Sequence, residues 1–168
     1  MKYCAWIIPP QPAFDELNKI ISNLSAEYKG PVFKPHMTLL GSTECELDDI
    51  RKAVEAVAKN TKKLSLSLGP VSFSTTYYQS VLVRVNSTAQ LMQFNLNLKK
   101  ALGIENNVFM PHISLMYGDH DMKMREEIAA KIKLQNTSFV ADSIVIVPVA
   151  EKSEPKDWEP VATIPLVG

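Results

Sequence analysis

The chain has 168 residues and a mass of 18.7 kDa, which suits one compact domain, with or without two lobes, but not two independent domains. Apolar residues make up 46% and charged residues 21%, which excludes an intrinsically disordered protein, a collagen and a coiled coil. Its 18 basic and 18 acidic residues cancel. Binding of long nucleic acid through its phosphates is therefore not indicated, whereas a short or single-nucleotide ligand remains open.

Cysteine usage and the N-terminus indicate the compartment. Cys4 and Cys45 have no paired framework around them, which suits a reducing environment. The apolar run at 4–8 stops at a double proline and is too short for a signal peptide, and no stretch approaches the roughly 18 apolar residues that span a bilayer. We therefore expect a cytoplasmic protein without a membrane partner.

Strand and helix patterns alternate through the first half of the chain. Thr43 and Glu46 match a capping box at the start of one helix, and Gly30-Pro31 ends another. In chain order, hydrophobic periodicity predicts a strand over 3–8, a helix over 12–28, a strand over 32–40 and a helix over 47–57.

The second half continues in the same way. Gly69-Pro70 is expected to break a strand, and Ser87 with Gln90 matches a second capping box. The predicted elements are strands over 64–68, 71–77 and 79–85, a helix over 91–102, a strand over 108–117, a helix over 122–134 and strands over 140–149 and 161–167.

The strand, helix, strand order occurs twice with nearly the same spacing. Trp6, in the first strand, precedes His36 by 30 residues, and Val83 precedes His112 by 29 residues. The matching offsets predict two related halves of one domain.

A matched pentapeptide lies in the later strand of each half. Residues 35–39 and 111–115 both read Pro, His, apolar, hydroxyl, Leu. Hydroxyl residues are about one eighth of the chain, so the chance of both matches, with the prolines, is below about one in ten thousand. A single His-x-Thr on a strand is most often a half-buried structural histidine, but two matched copies favour a functional site.

The strand period of two predicts how these side chains point. His36 and Thr38 share one face, as do His112 and Ser114, while the intervening apolar residues enter the core. If the two halves pack about a pseudo-twofold axis, both pairs line one cleft. We call His36, Thr38, His112 and Ser114 the four motif residues.

Two imidazoles and two hydroxyls suit phosphoryl displacement. One histidine can take a proton from the nucleophile while the other protonates the leaving oxygen, and the hydroxyls can donate to the phosphoryl oxygens. Neither a metal nor another cofactor is needed if these groups suffice. A zinc site built from both cysteines and both histidines lacks the close ligand pairs typical of such sites.

The paired motifs resemble those of the two-histidine (2H) phosphoesterase superfamily, and the chain is most similar to the plant and fungal cyclic phosphodiesterases. The similarity runs nearly from end to end and is carried by Trp6 and by residues 30–36, 77–82, 110–117 and 158–162. It implies one domain over 1–168 with an α+β fold: two pseudo-symmetric lobes of antiparallel sheets flanked by helices, with a cleft between them.

The resemblance also implies an activity, the hydrolysis of nucleoside 2′,3′-cyclic phosphates or ADP-ribose 1″,2″-cyclic phosphate without a metal. His36 and His112 would be the acid and base pair, and Thr38 and Ser114 would hold the phosphate. Tyr117 matches a ligand-contacting tyrosine, although simple aromatic packing is an equal alternative. The pseudo-symmetry leaves open which histidine is the acid and which the base.

Two other functions remain open. The first is a 2H enzyme that processes RNA ends, as a ligase-like or exonuclease-like member, and the second is a nucleotide-binding module without turnover. We expect a monomer whose partner is a small cyclic phosphate. Further candidates are aromatic residues that could stack a base, and cations that could add charge at the cleft: Trp6, Tyr77, Tyr78 and Trp158, and Lys34 and Arg84.

Overall fold

The computed structural model describes residues 1–105, 108–150 and 153–168. These residues form eight strands, four α-helices and two short 3₁₀ turns, one of which, Tyr77–Gln79, we call the tyrosine turn. The other turn is Pro155–Asp157. In chain order the strands and α-helices are β1 (Lys2–Ile7), α1 (Ala13–Tyr28), β2 (Met37–Glu44), α2 (Leu47–Ala58), β3 (Leu64–Phe73), β4 (Val81–Val85), α3 (Ala89–Ala101), β5 (His112–Met116), α4 (Met122–Lys131), β6 (Ser138–Ala141), β7 (Ser143–Pro148) and β8 (Ala162–Pro165).

The strands join into one antiparallel sheet in the order β6-β3-β4-β5-β2-β1-β7-β8. The predicted α+β class and antiparallel pairing are confirmed. The two lobes meet at the β2–β5 pair. Strands β2, β1, β7 and β8 belong to one lobe, and strands β5, β4, β3 and β6 belong to the other. This order reflects the repeated strand, helix, strand unit, and it brings the two motif-bearing strands together at the middle of the sheet.

Each repeat's helix packs across the centre of the sheet. Helix α1 contacts β5 and helix α3 contacts β2, so each half covers the motif strand of the other. The buried side chain of Asn95, on α3, donates from Nδ2 to the Leu39 carbonyl at 2.7 Å. A buried amide without such a partner costs stability, so this hydrogen bond favours one packing position of α3 against β2. Buried apolar residues of both halves merge into one core.

Both predicted capping boxes are wrong. Thr43 lies within β2, paired with β1, and the residue before α2, Glu46, makes no side-chain cap. Helix α3 is capped one residue later than predicted, by Thr88 rather than Ser87, and the Thr88 hydroxyl accepts from the Leu91 amide at 3.2 Å. The sheet extends further along β2 than the local pattern indicates, because pairing with β1 outweighs local capping.

Several predicted strand boundaries also change, including the start of β2, which lies at Met37 rather than at residue 32. Gly69-Pro70 does not break β3, which continues with a register shift against β4 between Leu68 and Val71. A Cβ on Gly69 would lie 2.8 Å from the Asn86 side-chain oxygen, so a larger residue here would displace the Asn86 side chain. The strand predicted over 79–85 begins only after the tyrosine turn, and the strand predicted over 140–149 is two strands, β6 and β7, in opposite lobes. In the described ranges, no helix is both long and apolar enough to cross a membrane.

Candidate functional site

The centre of the site is the β2–β5 pair. Met37 and Ile113 are opposite each other there, and both are fully buried. Since side chains alternate between faces, their neighbours point away from that part of the core. Continuing the antiparallel register gives two cross-strand pairs, His36 with Ser114 and Thr38 with His112. Each histidine therefore lies opposite the hydroxyl of the other half.

The four motif residues line one cavity of about 170 Å³, together with Tyr78, Gln79 and Tyr117. The four motif residues and Tyr117, which are the site residues expected from the sequence, thus line the same cavity. Sequence reasoning missed Gln79 and considered Tyr78 only as a stacking residue, although both lie in the stretch 77–82 that contributes to the resemblance.

A second cavity, of about 230 Å³, adjoins the first through His36, Thr38, Tyr78 and Tyr117. We call it the aromatic cavity because two tryptophans contribute to it. Its remaining lining residues are Cys4, Trp6, Gly41, Ser42, Val149 and Trp158. The two cavities together can hold a phosphate next to a larger planar group.

Both histidines are oriented in the same way. Nδ1 of His36 donates to the Lys34 carbonyl at 2.7 Å, and Nδ1 of His112 donates to the Met110 carbonyl at 2.8 Å. A carbonyl oxygen can only accept, so each Nδ1 carries the proton and each Nε2 is left as the basic nitrogen. The proline between each histidine and its acceptor favours extended backbone in the acceptor residue. This is a local reason for the Pro-His pairs in both motifs.

His36 is the more deeply enclosed imidazole, with 8% of its surface exposed. The Trp6 ring stacks on it at a centroid distance of 3.7 Å and an interplanar angle of 16°, and Phe33 approaches edge-on at 6.4 Å. Burial lowers the pKa of His36 to about 4, and repulsion from His112 acts in the same direction. The two rings are therefore electrostatically coupled.

His112 is half-buried, and burial also lowers its pKa. The positive charge of Arg84, directly opposite it on β4, lowers the pKa further. Both imidazoles are thus neutral near pH 7 in the absence of an anion. A bound phosphate would stabilise the imidazolium form and raise both pKa values, so the site can take up a proton when it binds its ligand.

The two motif hydroxyls are not equivalent. Ser114 Oγ donates to the Tyr78 carbonyl at 2.7 Å and so ties β5 to the tyrosine turn. The Thr38 hydroxyl has no hydrogen-bond partner within the described part of the chain and is free to donate to a ligand. Ser114 has to rotate its hydroxyl before it can do the same.

A buried arginine holds the tyrosine turn in place. Arg125 is only 2% exposed, and its guanidinium donates to backbone carbonyls rather than to a carboxylate. The acceptors are the carbonyls of His120, Ser74, Thr76 and Gly118, at 2.8, 2.6, 3.0 and 3.2 Å. Sequence reasoning missed this residue, because one basic residue on a polar helix gives no sign that it is buried.

Tyr117 both packs and lines the site. It is 3% exposed and stacks on Phe33 at 3.7 Å with an interplanar angle of 8°. The Tyr78 ring meets it edge-on at 5.2 Å, and burial raises the pKa of its phenol. Its hydroxyl therefore stays protonated at neutral pH and can act only as a neutral hydrogen-bonding group.

The other candidate residues divide between the site and its surroundings. Trp6, Tyr78 and Trp158 line the aromatic cavity, whereas Tyr77 faces a different cavity. The Lys34 ammonium is paired with Glu159 at 2.7 Å, so it adds little net charge to the cleft.

The residues weighed as zinc ligands do not form a metal centre. Burial raises the pKa of the Cys4 thiol to about 12, which disfavours the thiolate that zinc prefers. Over residues 1–105, 108–150 and 153–168, no group of three or more histidine, cysteine or acidic side chains is placed to hold a metal ion. His120, the third histidine of the chain, is half-buried and packs edge-on to Tyr28 at 6.1 Å.

Comparisons with known proteins agree with this architecture. The family described as "Cyclic phosphodiesterase-like protein" matches residues 1–166. A curated cyclic phosphodiesterase from Arabidopsis thaliana is 25% identical over 167 residues, which cover 95% of this chain and 92% of that protein. Two solved structures share the fold: TT0787 of Thermus thermophilus (TM-score 0.72, 14% identity) and E. coli LigT complexed with 3′-AMP (TM-score 0.69, 17% identity), each over 99% of this chain and 98% of the other.

Proposed function

The chain belongs to the cyclic phosphodiesterase-like family of 2H phosphoesterases, which makes it a hydrolase, and we propose that it opens the ring of a ribose cyclic phosphate. The substrates we propose are nucleoside 2′,3′-cyclic phosphates and ADP-ribose 1″,2″-cyclic phosphate. The observation that carries the proposal is the convergence of two imidazoles and two hydroxyls, from opposite halves of the chain, on one cavity.

In the proposed reaction, water attacks phosphorus in line with one of the two ring P–O bonds. The Nε2 of one histidine takes a proton from the water as the new P–O bond forms. The other histidine, protonated in the complex, gives its proton to the ribose oxygen as the old P–O bond breaks. The product is a phosphomonoester with a free neighbouring hydroxyl, and the two histidines have exchanged protonation states.

The resting pKa values fit this scheme once substrate binds. A neutral imidazole is ready to act as the base, and the anionic phosphate raises the pKa of its partner so that it holds a proton. Thr38 and Ser114 would donate hydrogen bonds to the phosphoryl oxygens, where negative charge accumulates. These groups supply proton transfer and charge stabilisation from the chain itself, so we propose that no metal is required.

For a nucleoside 2′,3′-cyclic phosphate, we place the base in the aromatic cavity. Trp6, Tyr78 and Trp158 offer ring faces beside the phosphate position, and stacking on aromatic rings tolerates any base. That E. coli LigT was solved with 3′-AMP supports a nucleoside monophosphate as the kind of ligand this fold holds. Both histidine and hydroxyl pairs of the site belong to the same chain, so we propose a monomer as the working unit.

The test is a panel of 2′,3′-cyclic nucleotides and ADP-ribose 1″,2″-cyclic phosphate, with products resolved as 2′ or 3′ monoesters and with EDTA present or absent. His36→Asn and His112→Asn are the matched variants, because an asparagine amide can still donate to the carbonyl that each Nδ1 contacts. We expect kcat to fall by about 10²–10⁴ in each, and turnover to survive EDTA.

His120→Asn is the control, because it changes the third histidine of the chain outside the cavity. Full activity in either motif variant would overturn the assignment of that histidine. Activity that disappears with EDTA and returns with added metal would overturn the metal-independent mechanism.

A further inference from the structure

The tyrosine turn separates two cavities and presents one tyrosine to each. Tyr78 lines the cavity of the four motif residues, which we call the inner cavity. Tyr77 lines a larger cavity of about 460 Å³ on the other side of the turn, which we call the outer cavity. The two rings meet at 5.0 Å and are nearly perpendicular, at 78°. Tyr77 also lies 6.4 Å from Tyr117, which lines the inner cavity. The ring contacts of Tyr77 with Tyr78 and Tyr117 thus connect the wall of the outer cavity to the wall of the inner cavity.

The outer cavity combines apolar and cationic surface. Tyr77 is 39% exposed and Val32 is 51% exposed, so both offer uncovered apolar area to a ligand. Of the two lysines that line the cavity, Lys156 is paired with Glu154 at 2.7 Å. Lys29 makes no ion pair within the residues that the structure describes, so it gives the cavity a net positive charge.

The backbone at Lys29 is in the left-handed region, with φ at 56°. This position follows the end of α1, where glycine is the favoured residue because it lacks a Cβ. A lysine here holds a strained conformation, which is consistent with a role for its side chain. It also means that Lys29→Gly removes the ammonium without straining the backbone.

We infer that the outer cavity binds a second nucleotide unit, joined through phosphate to the ribose whose cyclic phosphate reacts. The base or adenine would stack on Tyr77, and the linking phosphate would contact the Lys29 ammonium. This inference rests on the proposed function and extends it to larger substrates. An oligoribonucleotide ending in a cyclic phosphate and ADP-ribose 1″,2″-cyclic phosphate both carry such a unit.

The test compares uridine 2′,3′-cyclic phosphate with two extended substrates, the dinucleotide UpU ending in a 2′,3′-cyclic phosphate and ADP-ribose 1″,2″-cyclic phosphate. The variants are Tyr77→Leu and Lys29→Gly, and the control is Lys123→Gln, an exposed lysine on α4 that lines neither cavity. For the extended substrates we expect KM to rise about tenfold in Tyr77→Leu and about threefold in Lys29→Gly. The mononucleotide should change less than twofold.

The outcomes separate the sources of the ligand. A rise in KM for the dinucleotide alone identifies RNA ends as the ligand of the outer cavity. A rise in KM for ADP-ribose 1″,2″-cyclic phosphate alone identifies that small molecule as the ligand. Equal losses for all three substrates, or no change for any, would overturn the inference. Calorimetric affinities for uridine 3′-monophosphate and UpUp provide a readout without turnover. If no cyclic phosphate is hydrolysed, the proposed function fails. The ratio of these two affinities, compared between the wild type and Tyr77→Leu, still decides whether the outer cavity binds a nucleotide.

Discussion

Acid destabilisation of the native state should depend on His36. Its pKa is lowered from 6.5 to about 4 in the folded protein, chiefly because burial disfavours the imidazolium. The unfolded chain takes up this proton near pH 6.5, whereas the folded chain does so only near pH 4. The contribution to stability is therefore fully present above pH 6.5 and is lost as pH falls from about 6.5 to about 4.

The size of the effect follows from the two pKa values. Linkage gives a total of about 3 kcal/mol, of which about 2 kcal/mol is lost between pH 7.5 and pH 5. His36→Asn abolishes the titration and can keep the hydrogen bond to the Lys34 carbonyl. The variant should lose about 2 kcal/mol less of its unfolding free energy than the wild type over this interval.

Urea denaturation of both proteins at pH 7.5 and pH 5.0 measures this difference. Comparison within each protein cancels any change in packing that does not depend on pH. Equal losses in the wild type and His36→Asn would show that the folded and unfolded pKa values of His36 are similar. The reasoning from burial would then be wrong.

Two further predictions concern the supports of the site. Trp6→Leu removes the ring stacked on His36 and should raise the pKa of His36 toward 6.5. An NMR titration of the His36 imidazole measures this pKa. A value that stays near 4 would show that Trp6 is not a main source of the burial of His36. Arg125→Met leaves four backbone carbonyls without their donor and should cost about 2–4 kcal/mol of unfolding free energy in urea. A loss below about 0.5 kcal/mol would show that these hydrogen bonds do not stabilise the fold.

The sequence alone indicated the motif chemistry because that information is local. Alternation along a strand places His36 beside Thr38 and His112 beside Ser114 whatever the rest of the chain does. The repeated spacing also indicated that the two motifs are equivalent, and the structure joins them at the centre of the sheet.

Features that depend on distant segments could not be predicted in this way. Pairing with β1 draws Thr43 into the sheet instead of a helix cap, and β6 and β7 separate into opposite lobes although they are consecutive in the chain. Both outcomes are decided by which backbone groups meet across the sheet. Local propensity does not contain that information.

The sequence by itself determined which groups can react: two imidazoles, each with a neighbouring hydroxyl. Only the tertiary structure decided their electrostatic state, because desolvation depends on what covers each ring. Trp6 comes from another strand to bury His36, and Arg84 comes from β4 to face His112. The position of the tyrosine turn likewise depends on Arg125, whose guanidinium reaches carbonyls as far as 51 residues away in the chain. Folding makes these contacts between remote segments, and they set the pKa values and the shape of the cavity.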